Sequence, residues 1–338
     1  MASRRVAPSI ANPEPVLATA PEAGEFRTHE LTLPEEASGL RFDQALARSL
    51  PQYSRAALQA WIASGAVRVA GRELRGKDRV HGGEQVRINV RLAEQTRLAP
   101  EALPLAIVYR DRALFIIDKP AGLVVHPGAG NPRHTLQNAL LAADPKLALV
   151  PRSGLVHRLD KDTSGLLIVA RTPEAHTALA AALAQHTITR EYLALCTGVL
   201  SGGGTIREPI GRHRTQRTRM AVRPGGRAAV THYRIERRFA AHTLVRVTLE
   251  TGRTHQIRVH LAHAGFPLVG DALYGGRRRI PRGCPPELRA ELAAFPRQAL
   301  HAARLKFAHP LSGRALEFAS PLPADMERLL VALETAER

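Results

Sequence analysis

The sequence predicts an α+β protein: a catalytic-sized domain built on a mixed, mostly antiparallel sheet, preceded by a small α+β module. Three observations carry this. Beyond residue 105, many β-rich runs are interleaved with a few helical stretches, without the regular strand–helix alternation of a parallel sheet. Thr243 to Leu249 alternates apolar and polar residues strictly, the period of a strand with one buried face. Before residue 92, two short helical patterns are followed by alternating runs, the outline of a separate small unit.

Taken in order, residues 1–30 are rich in Ala, Pro and Glu without periodicity, and read as a tail on which no fold should be forced. The small module spans 38–91. In it Phe42, Ala45, Leu46, Ser49 and Leu50 share one helical face, and Pro51 stops that helix. Ser54 is placed to cap a second helix from Arg55 to Ile62, with Gly65 ending it. Val67–Val69, a turn at Gly71 and the alternating run from Gly82 to Val90 read as a half-buried hairpin. Residues 92–104, with Pro100 and Pro104, are a linker. The larger domain, 105–335, opens with a hairpin of Ile107–Tyr109 and Leu114–Ile117. Helical spacing follows at Thr135–Ala142 and again from Pro173, a residue suited to a first helical turn. Strands are expected at Arg190–Cys196, Ala228–Ile235 and Thr243–Leu249.

Composition narrows the function. At 338 residues the chain suffices for about two domains and a sizeable core. It lacks both a long apolar span and a secretory signal, so the expected location is cytoplasmic, with no membrane partner. Cys196 and Cys284 lie far apart and form no metal-ligand spacing, as for two thiols in a reducing compartment. The net charge of +18, carried mainly by arginine, makes nucleic acid the leading partner. High-GC codon usage explains Arg over Lys, but does not by itself supply the positive excess.

Three stretches concentrate chemistry. In Leu155–Arg171 a polar loop, HRLDKDTSG, leads into a buried apolar run, and Asp160 is its candidate reactive group. On this stretch alone, turn chemistry at Asp162–Gly165 accounts for most of the residues. Between Glu208 and Glu236 there is no acidic residue, while Arg212, Arg214, Arg217, Arg219, Arg223 and Arg227 fall there. This reads as a mobile basic loop laid against a phosphate backbone. Gly252–Gly265 reads as a turn and a helix, with Thr254 able to cap it and His255 and Arg258 on one face. Its histidines, with His126 and His157, raise a metal site, but the spacing matches no zinc motif and a cationic surface is favoured.

Two short helices and a hairpin bearing Arg55, Arg68, Arg72, Arg75, Lys77 and Arg79 resemble the small RNA-binding domain named after ribosomal protein S4. With His157–Gly165, Lys119–Gly122, Arg190–Tyr192 and Gly252–His260, the chain resembles the RluA family of pseudouridine synthases, most closely its RluD type. The resemblance implies a pseudouridine synthase fold and Asp160 as the catalytic carboxylate. It implies Arg258 paired with Asp160, favouring the ionised carboxylate. Tyr192 would lie against the uracil, and Arg158 would fill the gap left when the uridine leaves its stack. The expected RNA contacts are Arg158, His157, Arg212, Arg214, Arg217, Arg219, Arg55 and Arg68. No cofactor or metal is expected. The expected partner is large-subunit (23S) ribosomal RNA or its assembly precursor, in the hairpin called helix 69, and the expected state is a monomer.

Overall fold

The computed structural model describes residues 26–50, 53, 55–91, 98–128, 131–216, 218–276, 280 and 283–337. Arg217, Ser54 and residues 92–97 of the linker lie outside them.

The small module contains β1 (Phe26–Thr32), α1 (Phe42–Ser49), α2 (Arg55–Ala63), β2 (Val67–Val69), β3 (Arg72–Glu73) and β4 (Gln85–Arg91). Its antiparallel sheet runs β1-β4-β2-β3. Residues 26–30, expected in the tail, belong to β1, because Phe26 to Thr32 pair residue for residue with Arg91 to Gln85. The module therefore starts well before residue 38; polar alternation in an edge strand leaves little apolar signal. Ala70 and Gly71, with φ of 47° and 79°, make the two-residue turn between β2 and β3, a geometry matched to strand twist. Phe42, Leu46, Leu58, Val67, Val86 and Ile88 form a core of their own.

The large domain contains β5 (Ala106–Arg110), β6 (Leu114–Lys119), α3 (Leu136–Ala143), β7 (Ser164–Ala170), α4 (Pro173–Ala184), β8 (Thr189–Thr197) and β9 (Gly204–Arg207). After these come β10 (Ile210–Arg212), β11 (Met220–Val222), β12 (Val230–Arg238), β13 (His242–Leu249), α5 (Gln256–His263), α6 (Pro286–Ala294), β14 (Leu300–Ala308), β15 (Ala315–Ala319) and α7 (Ala324–Thr335). The main sheet runs β5-β6-β7-β14-β8-β13-β12-β9, with β15 against β14. Every pairing in it is antiparallel except β7 with β14, where His301 meets Ser164. The mixed, mostly antiparallel sheet of the sequence reading is thus the observed one.

Alternation along β6 and β7 divides the core in two. Phe115, Ile117, Leu167 and Val169 pack with Leu136 and Leu140 of α3. Leu114, Ile116, Leu166 and Ile168 face the other way, onto Ala175 and Leu179 of α4. With both faces covered, β7 is buried throughout, each large apolar side chain contributing about 1.5–3 kcal/mol. Gly165 opens this strand with φ +108°, and a Cβ there would lie 2.3 Å from the Ala302 carbonyl oxygen, so only glycine lets β14 come this close. The loop carrying Asp160 is thereby mounted on a strand buried along its whole length.

Two sequence expectations are corrected. The basic segment after Glu208 is not a loop throughout: β10 and β11 pair as a hairpin, Ile210 opposite Val222 and Arg212 opposite Met220. Thr254 does not cap α5; the N-cap is His255, in the left-handed region at φ 57°. Gln256, the first residue of α5, instead ties down the turn before it, its Oε1 accepting from the Arg253 N–H at 3.0 Å and the Thr251 hydroxyl at 2.8 Å.

Candidate active site

Asp160 lies where two cavities meet. A cleft of about 1110 Å³ runs past His157, Arg158, Asp160, Arg190, Tyr192 and Arg258, and a smaller one of about 280 Å³ shares Asp160, Arg158, His255 and Arg258. Residues from the loop before β7, from β8 and from α5 are thus brought to one place across nearly 100 positions of sequence. Asp160, Tyr192 and Arg258 of the sequence reading meet here, and Arg158 is exposed at the rim.

Arg258 organises the centre. Its Nη1 donates to Asp160 Oδ2 at 3.0 Å, while Nε and Nη2 donate to the two carboxylate oxygens of Asp271 at 2.7 and 2.9 Å. The guanidinium also stands over the Tyr274 ring, 5.0 Å from its centroid. Burial works against the Arg258 charge, but the bonds and charge of Asp271, then those of Asp160, outweigh it and raise its pKa. A bidentate fork on Asp271 fixes the plane of the guanidinium, so its remaining nitrogen is aimed at Asp160.

Tyr192 is 6% exposed, on the floor of the cleft. Burial raises its pKa, so the phenol keeps its proton at neutral pH. His255 Nε2 lies 3.8 Å from Asp160 Oδ1, and burial lowers its pKa despite that carboxylate, keeping the imidazole neutral at neutral pH. Lys119 sits wholly buried behind the loop, its ammonium donating to the carbonyls of Pro120, Leu123 and Lys161 at 2.8–2.9 Å. Burial pushes its pKa down to about 8 against the pull of Asp162 and Asp160.

The expected RNA contacts fall in different places. His157 lines the cleft, but its Nε2 accepts the Ile168 N–H at 3.0 Å, and burial followed by the Arg190 charge pushes its pKa down to about 3. It is neutral and brings no charge to a phosphate. Arg55, Arg68, Arg212 and Arg214 are exposed and lie outside the cleft lining, Arg68 paired with Glu73 at 3.1 Å. Arg219 is held over the Tyr274 ring, 5.4 Å from its centroid, so the basic hairpin touches the site through that tyrosine. Among the described residues, no group of three or more His, Cys, Asp or Glu is placed to hold a metal ion.

Sequence reasoning missed Asp271, Tyr274 and Lys119 as parts of this centre. Asp271 and Tyr274 stand in the segment GDALYG, whose Gly spacing signals only a turn. A buried lysine satisfied by carbonyls has no signature at the sequence level; KPAG was visible only through the family resemblance.

Comparison with known proteins fits this geometry. The family described as RNA pseudouridylate synthase matches residues 113–263, and the S4 domain matches 40–86. The ribosomal large subunit pseudouridine synthase D of Xanthomonas campestris is 53% identical over 304 residues, 90% of this chain and 92% of that one. Its namesake in Escherichia coli K12 is 52% identical over 300 residues, 88% and 92% of the two chains. The solved structure of human RNA pseudouridylate synthase domain containing 1 is 26% identical with a TM-score of 0.51, covering 69% of this chain and 96% of that one. That of human RNA pseudouridylate synthase domain containing 4, at 24% identity and a TM-score of 0.53 over 68% and 93%, shows the same fold. The aspartate on the loop before β7 is locked to a helix-borne arginine inside a basic cleft, and on these matches the chain belongs to the RNA pseudouridine synthase family. It is an enzyme, carrying an S4 domain ahead of its catalytic domain.

Proposed function

We propose that this enzyme converts uridines of large-subunit ribosomal RNA to pseudouridine, with the 23S hairpin called helix 69 as its target and Asp160 as the catalytic carboxylate. The observation that carries the chemistry is Asp160 at the junction of the two cavities, its charge balanced by Arg258 and one carboxylate face left toward the cleft. The ribosomal target is supported by the relatives in Xanthomonas and Escherichia, named for the large subunit and matched over nine-tenths of their length.

The reaction is an isomerisation and needs no outside reactant. The bond between uracil N1 and the ribose anomeric carbon breaks, the base turns, C5 bonds to the anomeric carbon, and the C5 proton is lost while N1 gains one. Asp160 either attacks the anomeric carbon or takes a proton from the sugar, and the 3.0 Å bond from Arg258 Nη1 holds its carboxylate in place for either role. Tyr192 offers a ring for the uracil face and a protonated hydroxyl for proton transfer. Arg158, exposed beside Asp160, occupies the vacated place in the RNA stack, offsetting part of the few kcal/mol that unstacking costs.

The test is pseudouridine mapping of large-subunit RNA, with wild type and with Asp160→Asn and Asp160→Ala. Both variants are expected to fold and bind RNA and to leave the helix 69 uridines unmodified. Full modification by either variant refutes the role of Asp160, and wild-type modification confined to another ribosomal site or to tRNA refutes the target.

A further inference from the structure

Arg190, on β8 two residues before Tyr192, lines the cleft, and the site as described leaves it without a task. It is 6% exposed. No hydrogen bond or ion pair joins its guanidinium to any other described residue, and its Nε is fully buried without an acceptor. Its neighbours supply no counter-charge. His157 is neutral, Tyr192 keeps its proton, and Glu191 points to the other face of the strand, onto Arg246 at 3.2 Å. Asp160 is already engaged by Arg258. Gly252 closes over the group, since a Cβ there would stand 3.0 Å from Arg190 Nη1. A buried, unpaired guanidinium is costly, and such a group calls for an explanation.

Its position supplies one. Arg190 and Tyr192 alternate onto the same face of β8, roughly 7 Å apart along the strand, and both line the cleft that holds Asp160. We propose that Arg190 is a phosphate-binding residue: its guanidinium takes the phosphodiester flanking the uridine whose base lies on Tyr192. This rests on the reading of the cleft as the uridine site. A phosphodiester fits better than a uracil carbonyl, because a full buried charge is offset by a full counter-charge and the guanidinium fork matches two phosphate oxygens. Binding then has a second function: the anion removes the cost of the unpaired cation only when a nucleotide is seated in the cleft, so affinity is directed to the flipped state.

The experiment measures binding in the Asp160→Asn background, so that it is independent of whether Asp160 performs the chemistry. The probe is the target hairpin RNA, intact or with a neutral methylphosphonate on either side of the target uridine. With Arg190 intact, one flanking methylphosphonate is expected to weaken Kd about tenfold or more, and a remote one to have no such effect. Arg190→Gln should weaken binding of intact RNA similarly, lower the salt-dependence slope by about 0.7, and be indifferent to the flanking methylphosphonate. An abasic nucleotide at the target position should leave that difference between Arg190 and Gln in place. The proposal is overturned by a methylphosphonate penalty that is absent with Arg190 intact or undiminished in Arg190→Gln, or by an abasic target that abolishes the Gln effect, which would place the contact on the base. Should Arg190→Gln fail to fold, the methylphosphonate scan with Arg190 intact decides alone, and Arg190→Lys, keeping the charge without the fork, should show an intermediate penalty.

Discussion

At the scale of single residues, the site depends on how Arg258 divides its five donors. Asp271, with no accessible side-chain surface, takes two of them, and Asp160 takes one. Asp271→Asn should therefore act twice. It leaves a buried guanidinium short of a counter-charge, costing about 3–5 kcal/mol in urea unfolding, and it frees Arg258 to turn from Asp160, lowering kcat more than it raises KM. Arg258→Lys keeps the charge but cannot hold both carboxylates in one plane, and should lose at least about tenfold in kcat with RNA affinity little changed. His157 adds a pH dependence whose sign follows from its lowered pKa. Between its ordinary 6.5 and about 3, the unfolded chain binds the proton and the folded one does not, so its contribution is lost as pH falls through that window. His157→Gln keeps an acceptor for the Ile168 N–H and cannot titrate. The difference in urea midpoint between it and wild type should accordingly shift toward the variant from pH 7 to pH 4, and a constant difference would contradict the account.

At the scale of elements, the β10–β11 hairpin packs on α5 through Ile210, Met220, Val222 and Val259, and Tyr274 adds a polar link to the active site. The Tyr274 hydroxyl accepts the Met220 N–H at 2.9 Å and is hydrogen-bonded to His255 Nδ1 at 2.8 Å, so the hairpin, Tyr274 and the left-handed N-cap of α5 form a single connected path. Tyr274→Phe removes both bonds and keeps the ring under Arg258. The Met220 amide should then exchange with solvent about fivefold to tenfold faster, as expected for one lost hydrogen bond of about 1 kcal/mol, while amides of β7 should be unaffected. The loop bearing Asp160 has a comparable fastening in Lys119, whose ammonium joins Lys161 of that loop to the turn after β6.

At the scale of the whole molecule, the large domain holds the chemistry and the small module presents positive charge. They meet at Tyr53, whose hydroxyl donates to Glu174 at the start of α4 at 3.2 Å, and at Leu149, which packs on the module's core. Arg55, exposed at the start of α2 and outside the cleft, should act on affinity alone. Arg55→Gln is expected to weaken RNA binding and lower the salt slope by about 0.7 without changing single-turnover kcat; a change in kcat would place the module in the chemistry.

Much of this was legible in the sequence because it is local. Periodicity marked β7 and β13, Pro173 marked the start of α4, and the motif from His157 to Gly165 marked the loop of Asp160, since alternation, capping and turn residues act within a few positions. Other features depend on distant partners. Residues 26–30 become a strand only because β4 lies beside them, and the basic segment forms a hairpin that packs on Val259 and Tyr274, far along the chain. His157 is a neutral acceptor, because its charge is decided by burial and by Arg190, thirty-three positions away. The sequence by itself determined the α+β class, the mostly antiparallel sheet and the basic charge, and through the family resemblance it singled out Asp160, Tyr192 and Arg258, which the fold brings to one cleft. Only the tertiary structure decided that Arg258 is aimed by Asp271, that Tyr274 ties the hairpin to α5 and that Arg190 lies buried without a counter-ion, because charge pairing and desolvation follow from distances in space.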